Sequence, residues 1–190
     1  MKHSLQPLKS GLFQVVAEED NETFLIEKGQ FGGIVSGPDN LSQEGLAWIG
    51  YGAVCVDNAR ILDDAYVGEH ARLYDRAEAC DQAYVAGHAY MSDYASAHNQ
   101  STVVGTAIMA DTSGVFDQAY VTYGAVLTGN TVVSGTSTIV DKVRPGSILR
   151  DIQQFQLPPY EQLAHNIIVD FSRSKAMSNQ AKTLMERASK

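Results

Sequence analysis

From residue 49 onward one apolar position returns every six residues. It reads Ile49, Cys55, Ile61, Val67, Leu73, Ala79, Val85, Met91, Ala97, Val103, Met109, Val115, Val121, Leu127, Val133 and Ile139. We designate this position i. Two residues before it stands a small residue throughout: Ala47, Ala53, Ala59, Ala65, Ala71, Ala77, Ala83, Ala89, Ala95, Ser101, Ala107, Ser113, Ala119, Ala125, Thr131 and Ser137. Two residues after it Asp, Asn or Gly predominates, the residues that tolerate turn dihedrals. Side chains alternate along a strand, so i−2 and i share the inward face and the residue between them points out. A period of six cannot stay in phase with the 3.6 residues of an α-helix. Three hexads close one coil of 18 residues, and residues 18 apart stack at about 4.8 Å. The pattern predicts a mainly β chain whose residues 47–142 form a single-stranded parallel β-solenoid of about five coils.

The flanks read differently. Within residues 1–46, two short strands are expected at Leu12–Ala17 and Thr23–Glu27, joined by the acidic turn Glu18-Glu19-Asp20-Asn21. They would form a small β cap over the open edge of the solenoid. The Gly29–Gly33 stretch is no phosphate-binding loop, because no Gly-Lys-Ser/Thr follows. Past Asp141 the hexads stop, at Pro145-Gly146, and Pro158-Pro159 makes a second break. Tyr160, Leu163, Ala164, Ile167, Ile168 and Phe171 then fall at helical spacing, as do Met177, Ala181, Leu184, Met185 and Ala188. Residues 143–190 are therefore expected to be an α-helical cap or an oligomerisation segment.

Charge narrows the partners. The net charge is −8. Residues 1–46 carry 3 Lys/Arg against 7 Asp/Glu, residues 47–142 carry 4 against 11, and residues 143–190 carry 7 against 4. An acidic repeat region repels phosphates, which argues against direct nucleic-acid binding. No apolar run reaches the roughly 18 residues of a membrane span, and the N-terminus has no apolar signal core. Cys55 and Cys80 have no metal-ligand or redox spacing along the chain, so a reducing, cytoplasmic setting is expected.

In a solenoid, stepping by 18 reads the surface as ladders. One outward face carries Trp48, Tyr66, Tyr84, Thr102, Tyr120 and Thr138. A second carries Val54, Arg72, Tyr90, Ile108 and Val126, and a third Arg60, Glu78, Ser96, Gly114 and Val132. Trp48, Tyr66, Tyr84 and Tyr120 are candidate binding residues, since aromatic residues are favoured at interfaces. At one corner stand Asp57, Asp75, Asp93 and Asp111. At another stand Asp63, Asp81, Asn99 and Asp117. The bland reading is that each Asp bonds its own turn amides. The functional reading is an acidic surface for a basic protein. His70 and His88 stack at the third corner and are weak candidates for metal ligands.

The hexads resemble those of the bacterial hexapeptide-repeat family. Gly32-Gly33, Asp39-Asn40-Leu41-Ser42 and Trp48-Ile49 resemble a bacterial and phage branch of it, over about Leu12 to Asp141. The resemblance implies a left-handed β-helix. Transferases of the family usually carry Gly directly after the aliphatic residue. Here only Gly50 and Gly68 do, and the turn residue falls one place later. Three functions follow as expectations. The first is a non-catalytic interaction, inhibitor or accessory module, phage-associated and blocking a nucleic-acid-handling complex. The second is an acyltransferase with an active site between subunits, although sixteen hexads run without the loop that would wall a catalytic base. The third is a metal enzyme like the γ-class carbonic anhydrases. No resident cofactor is expected. Self-association as a trimer or dimer is.

Overall fold

The computed structural model describes residues 2–154. The helical pattern from Tyr160 onward lies outside them. Each hexad contributes a two-residue strand, the outward residue followed by position i, as in Tyr84–Val85 and Tyr90–Met91. Strands 18 residues apart pair in parallel without slippage: Tyr66, Tyr84, Thr102, Tyr120 and Thr138 stand in one line. The hydrogen bonds run from coil to coil, for example Tyr66 N to Ala83 O and Tyr84 N to Ser101 O, both 2.9 Å. Two sheets of six strands and one of eight make the three faces, so the stack has about six coils.

The interior follows the hexad. Every i and i−2 residue from Ala47 to Ile139 is fully buried. Alanine at i−2 leaves room for the larger i residues to meet at the axis, at close-packed density. Toward the C-terminal end Ser and Thr replace Ala. Thr131 Oγ1 and Ser137 Oγ donate to Thr128 O and Ser134 O, each at 2.6 Å. Ser101 Oγ and Ser113 Oγ are buried without a partner among the described residues. At the turns, the i+2 residue is left-handed from Asp57 to Gly135, with φ between +53° and +73°. The backbone then closes a four-residue turn, as where Ala77 N donates to Tyr74 O at 3.0 Å. Asp and Asn visit this region at low cost and Gly at none, which explains the composition of these positions apart from Glu69 and Tyr123.

The N-terminal end departs from expectation. Strands β1 (His3–Pro7), β2 (Phe13–Ala17) and β3 (Phe31–Val35) form an antiparallel sheet. The expected strand at Leu12–Ala17 is β2. The one at Thr23–Glu27 is not a strand. Those residues belong to a tight loop in which Asn21 and Ile26 exchange backbone hydrogen bonds, Asn21 Oδ1 accepts from Phe24 N at 3.2 Å, and Leu25 is left-handed. The missing strand is the glycine-bearing β3, which pairs in parallel with Val54–Cys55 and joins the cap to the solenoid. Glycine is required there by proximity. A Cβ on Gly33 would lie 2.6 Å from Ala53 O, and one on Gly32 would lie 3.0 Å from the Trp48 ring. The Asp39-Asn40-Leu41-Ser42 segment starts the first coil. Asn40, 2% exposed, donates to Ala59 O at 2.8 Å and Asp57 O at 3.1 Å. It accepts from Ser36 N and Gly37 N.

The C-terminal end also differs. Past Asp141 the chain keeps stacking: Val132–Ser134 pairs in parallel with Ile148–Arg150, and Thr138 bridges Gln153. The partners are now 16 and 15 residues apart rather than 18, so the six-residue pattern no longer marks them. The buried hydroxyls hold this coil, with Thr131 Oγ1 accepting from Gly146 N and Ser137 Oγ from Ile152 N, both at 3.1 Å. Residues 143–154 thus extend the stack on two of its three faces beyond the hexads, while β3 supplies the extra layer on the remaining face.

Candidate functional site

The tyrosine face is shorter than its sequence column. Trp48 is buried, 2% exposed, with its ring against Gly32 of β3. It is therefore a cap-packing residue, a correction to its reading as a surface contact. Tyr66 is half-buried. Its ring stacks on Tyr84 at 5.2 Å and tilts against Phe24 at 5.0 Å. Burial, then the neighbouring Tyr84 and Glu69, hold its hydroxyl above the usual phenol range. Tyr84 and Tyr120 are exposed, 41% and 42%, with Thr102 between them. On the second face Tyr90 and Ile108 are exposed as neighbours.

The aspartate columns are structural ladders before they are anything else. The carboxylates do not bond the amides of their own turns, which corrects the bland reading in its detail. Each bonds the amide of the equivalent residue one coil later. Asp57 Oδ2 accepts from Asp75 N at 3.4 Å, Asp75 from Asp93 N and Asp93 from Asp111 N, both at 3.2 Å, and Asp111 from Gly129 N at 2.8 Å. The second corner repeats this from Asp63 through Asp81, Asn99 and Asp117 to Gly135. Gln82, Gln100 and Gln118 form an amide ladder alongside it. The carboxylates nonetheless remain exposed, so the columns keep their charge at the surface.

Between these corners lies the third face, which sequence columns describe poorly. Arg60 pairs with Glu78 at 2.6 Å. Arg76 donates to the Tyr94 hydroxyl at 2.9 Å, with its guanidinium 5.3 Å from that ring's centre. These residues line an open groove of about 790 Å³ whose N-terminal end is formed by Ser36, Gly37, Asp39 and Asn40.

One cluster on this face was not foreseen. Glu78 and Cys80 flank the inward Ala79 and so point out together, and His98 stands one coil above Cys80. Cys80 Sγ lies 2.6 Å from His98 Nδ1. Asp81 Oδ2 is 3.8 Å from the sulfur and 3.9 Å from the nitrogen. The His98 ring is stacked on Phe116 at 5.2 Å. Burial, then Asp81, Glu78 and Asp63, push the Cys80 thiol up to about 12. A thiol so placed stays protonated at neutral pH, unlike the lowered thiols of cysteine nucleophiles. The signal in the sequence was the step of 18 from Cys80 to His98, which a search for linear cysteine spacing passes over.

His70 and His88 do stack, with ring centres 5.0 Å apart. The column continues with Thr106 and Gly124, so the described residues bring two imidazoles together there. Among the described residues no helix is long and apolar enough to cross a membrane. In comparison with known proteins, the chain matches no family model and no curated protein.

Proposed function

We propose that the chain is a left-handed hexapeptide-repeat solenoid of the bacterial and phage type. It acts as a non-catalytic acidic module that binds a basic protein, one whose basic surface ordinarily holds nucleic acid. The observation that carries this reading is the ladder Asp57–Asp75–Asp93–Asp111, in which inter-coil hydrogen bonds fix a line of exposed carboxylates at a constant spacing. A line of fixed like charges sets up a field that steers and orients an opposite one. Tyr84 and Tyr120 supply apolar contact area on another face of the same coils, for the partner or for self-association.

Asn99 supplies the means of testing this. It occupies a ladder position, is left-handed, and accepts from Asp117 N as an aspartate would. Asp→Asn exchange therefore removes charge and keeps the ladder. The fourfold variant D57N/D75N/D93N/D111N is compared with the wild type for binding a synthetic Lys/Arg-rich peptide. Binding should weaken at least tenfold and lose most of its salt dependence. Equal affinity in the two proteins would remove the basis for the proposal.

A further inference from the structure

Independently of that reading, the outward side chains of the third face include three that can act together as ligands. Glu78 Oε, Cys80 Sγ and one ring nitrogen of His98 all lie within 4.8 Å of one another. Their donors are one carboxylate oxygen, one sulfur and one imidazole nitrogen, the set that zinc and similar borderline divalent ions take. Their origins make the arrangement rigid. Glu78 and Cys80 are held by the strand Glu78–Ala79 and the residue after it, and His98 follows the stacked strand Ser96–Ala97.

We propose that Glu78, Cys80 and His98 form a binding site for a divalent transition ion, zinc in the first instance, with the fourth position open to solvent.

Several features favour a cation here. Asp81 and Asp63 stand beside Cys80 and add negative charge. Among the described residues, Arg60 is a cation paired with the cluster, and it occupies Glu78 Oε2. The other oxygen of Glu78 is the one left for a metal. Stacking on Phe116 fixes the plane of the His98 ring. Phe116 in turn packs over Gly114, where any side chain would strike its ring. The Sγ–Nδ1 separation of 2.6 Å is too short to bracket an ion. Bonds of about 2.3 Å to sulfur and 2.0 Å to nitrogen in a tetrahedral site place the two ligand atoms roughly 3.5 Å apart. Loading therefore opens this contact by about 1 Å, through a small shift of the partly exposed His98 ring within its stacking plane. A water completes four-coordination, as in open zinc sites, and the Cys80 thiol, protonated in the metal-free protein, releases its proton to solvent as the ion binds.

The test uses the full chain, stripped of metal and titrated with Co²⁺. The thiolate-to-cobalt charge-transfer band reports sulfur ligation directly, and Zn²⁺ should bleach it by displacement. Cys80→Ser should abolish the band, and zinc affinity measured against a chromophoric chelator should fall at least about 100-fold. His98→Ala should lower affinity at least about tenfold, since losing even an outer partner of a metal ligand costs roughly 10- to 100-fold. Circular dichroism checks that each variant is folded. His70→Ala/His88→Ala serves as the control at the other histidine pair and should titrate as the wild type does. Absence of the band in the folded wild type would overturn the proposal. So would a band or a zinc affinity that Cys80→Ser leaves unchanged, or binding lost only in the His70/His88 variant.

Discussion

The three corners of the solenoid make the same backbone turn with different chemistry. At two of them the left-handed residue, up to the closing Gly129 and Gly135, is an aspartate or asparagine whose side chain receives an amide from the coil above. At the third it is Glu69, Gly87, Gly105 and Tyr123, and the His70–His88 stack lies beside it. Glycine meets the dihedral requirement alone. Aspartate meets it at a small cost in backbone energy, offset by a hydrogen bond, and it adds a charge that glycine does not. The acidity of the two corners is therefore a by-product of turn-making that is available for recognition.

The largest test of this contrast is Gly87→Val. A Cβ there would sit 2.8 Å from Gly105 N and O, at φ +73°. A β-branched residue in that position should cost roughly 3 kcal/mol, through left-handed strain and backbone contact. Urea denaturation gives the value, and a loss under 1 kcal/mol would mean the third corner does not depend on glycine. Asp93→Ala comes next. It removes the acceptor of the Asp111 amide and places alanine at φ +58°, so a loss of about 1–2 kcal/mol is expected. Asp93→Asn should fall within about 0.5 kcal/mol of the wild type, since Asn99 already plays that part. If Asn proves as costly as Ala, charge rather than hydrogen bonding holds the ladder. The smallest effect concerns Asp151. It is left-handed too, but its carboxylate reaches back to Thr136 N at 2.9 Å. That amide hydrogen bond, then the Thr136 hydroxyl and Arg150, hold its carboxyl below the usual aspartate range. The folded value lies below the unfolded one, so its contribution is present above the ordinary carboxylate range and is lost as pH falls through the folded pKa. Side-chain NMR titration should find Asp151 below the ordinary aspartate value of about 3.9, and a value above it would contradict the contact.

The solenoid was legible because its rule is local: a six-residue pattern names the inward positions without knowledge of the neighbours. The ladders were legible as columns, because a coil of 18 converts sequence distance into height. What escaped reading is what breaks either rule. Strand β3 carries glycines for close approach to Ala53 and Trp48, and glycine conceals a strand. The last coil is paired at steps of 16 and 15. Trp48 follows the outward pattern, yet the cap covers it. The Glu78–Cys80–His98 cluster combines a same-strand pair with a residue one coil up, so neither linear motifs nor single columns disclose it.

The unequal coils have a consequence for how the chain finds its place. In the middle of the stack, a segment displaced by 18 residues would meet nearly the same surroundings, with small, apolar and turn residues all in phase. Identical coils alone would leave the threading ambiguous. The first coil sets its partners 20 residues apart, as in Ile34 with Val54 and Leu41 with Ile61, and the last sets them 16 and 15 apart. These mismatched ends fit in one frame only. Excision of a whole coil from the middle would lower the stack by about 4.8 Å and keep every face aligned. Excision of a single hexad between Cys80 and His98 would keep the core and turn every later face by one third of a revolution, separating those two residues and breaking both aspartate lines.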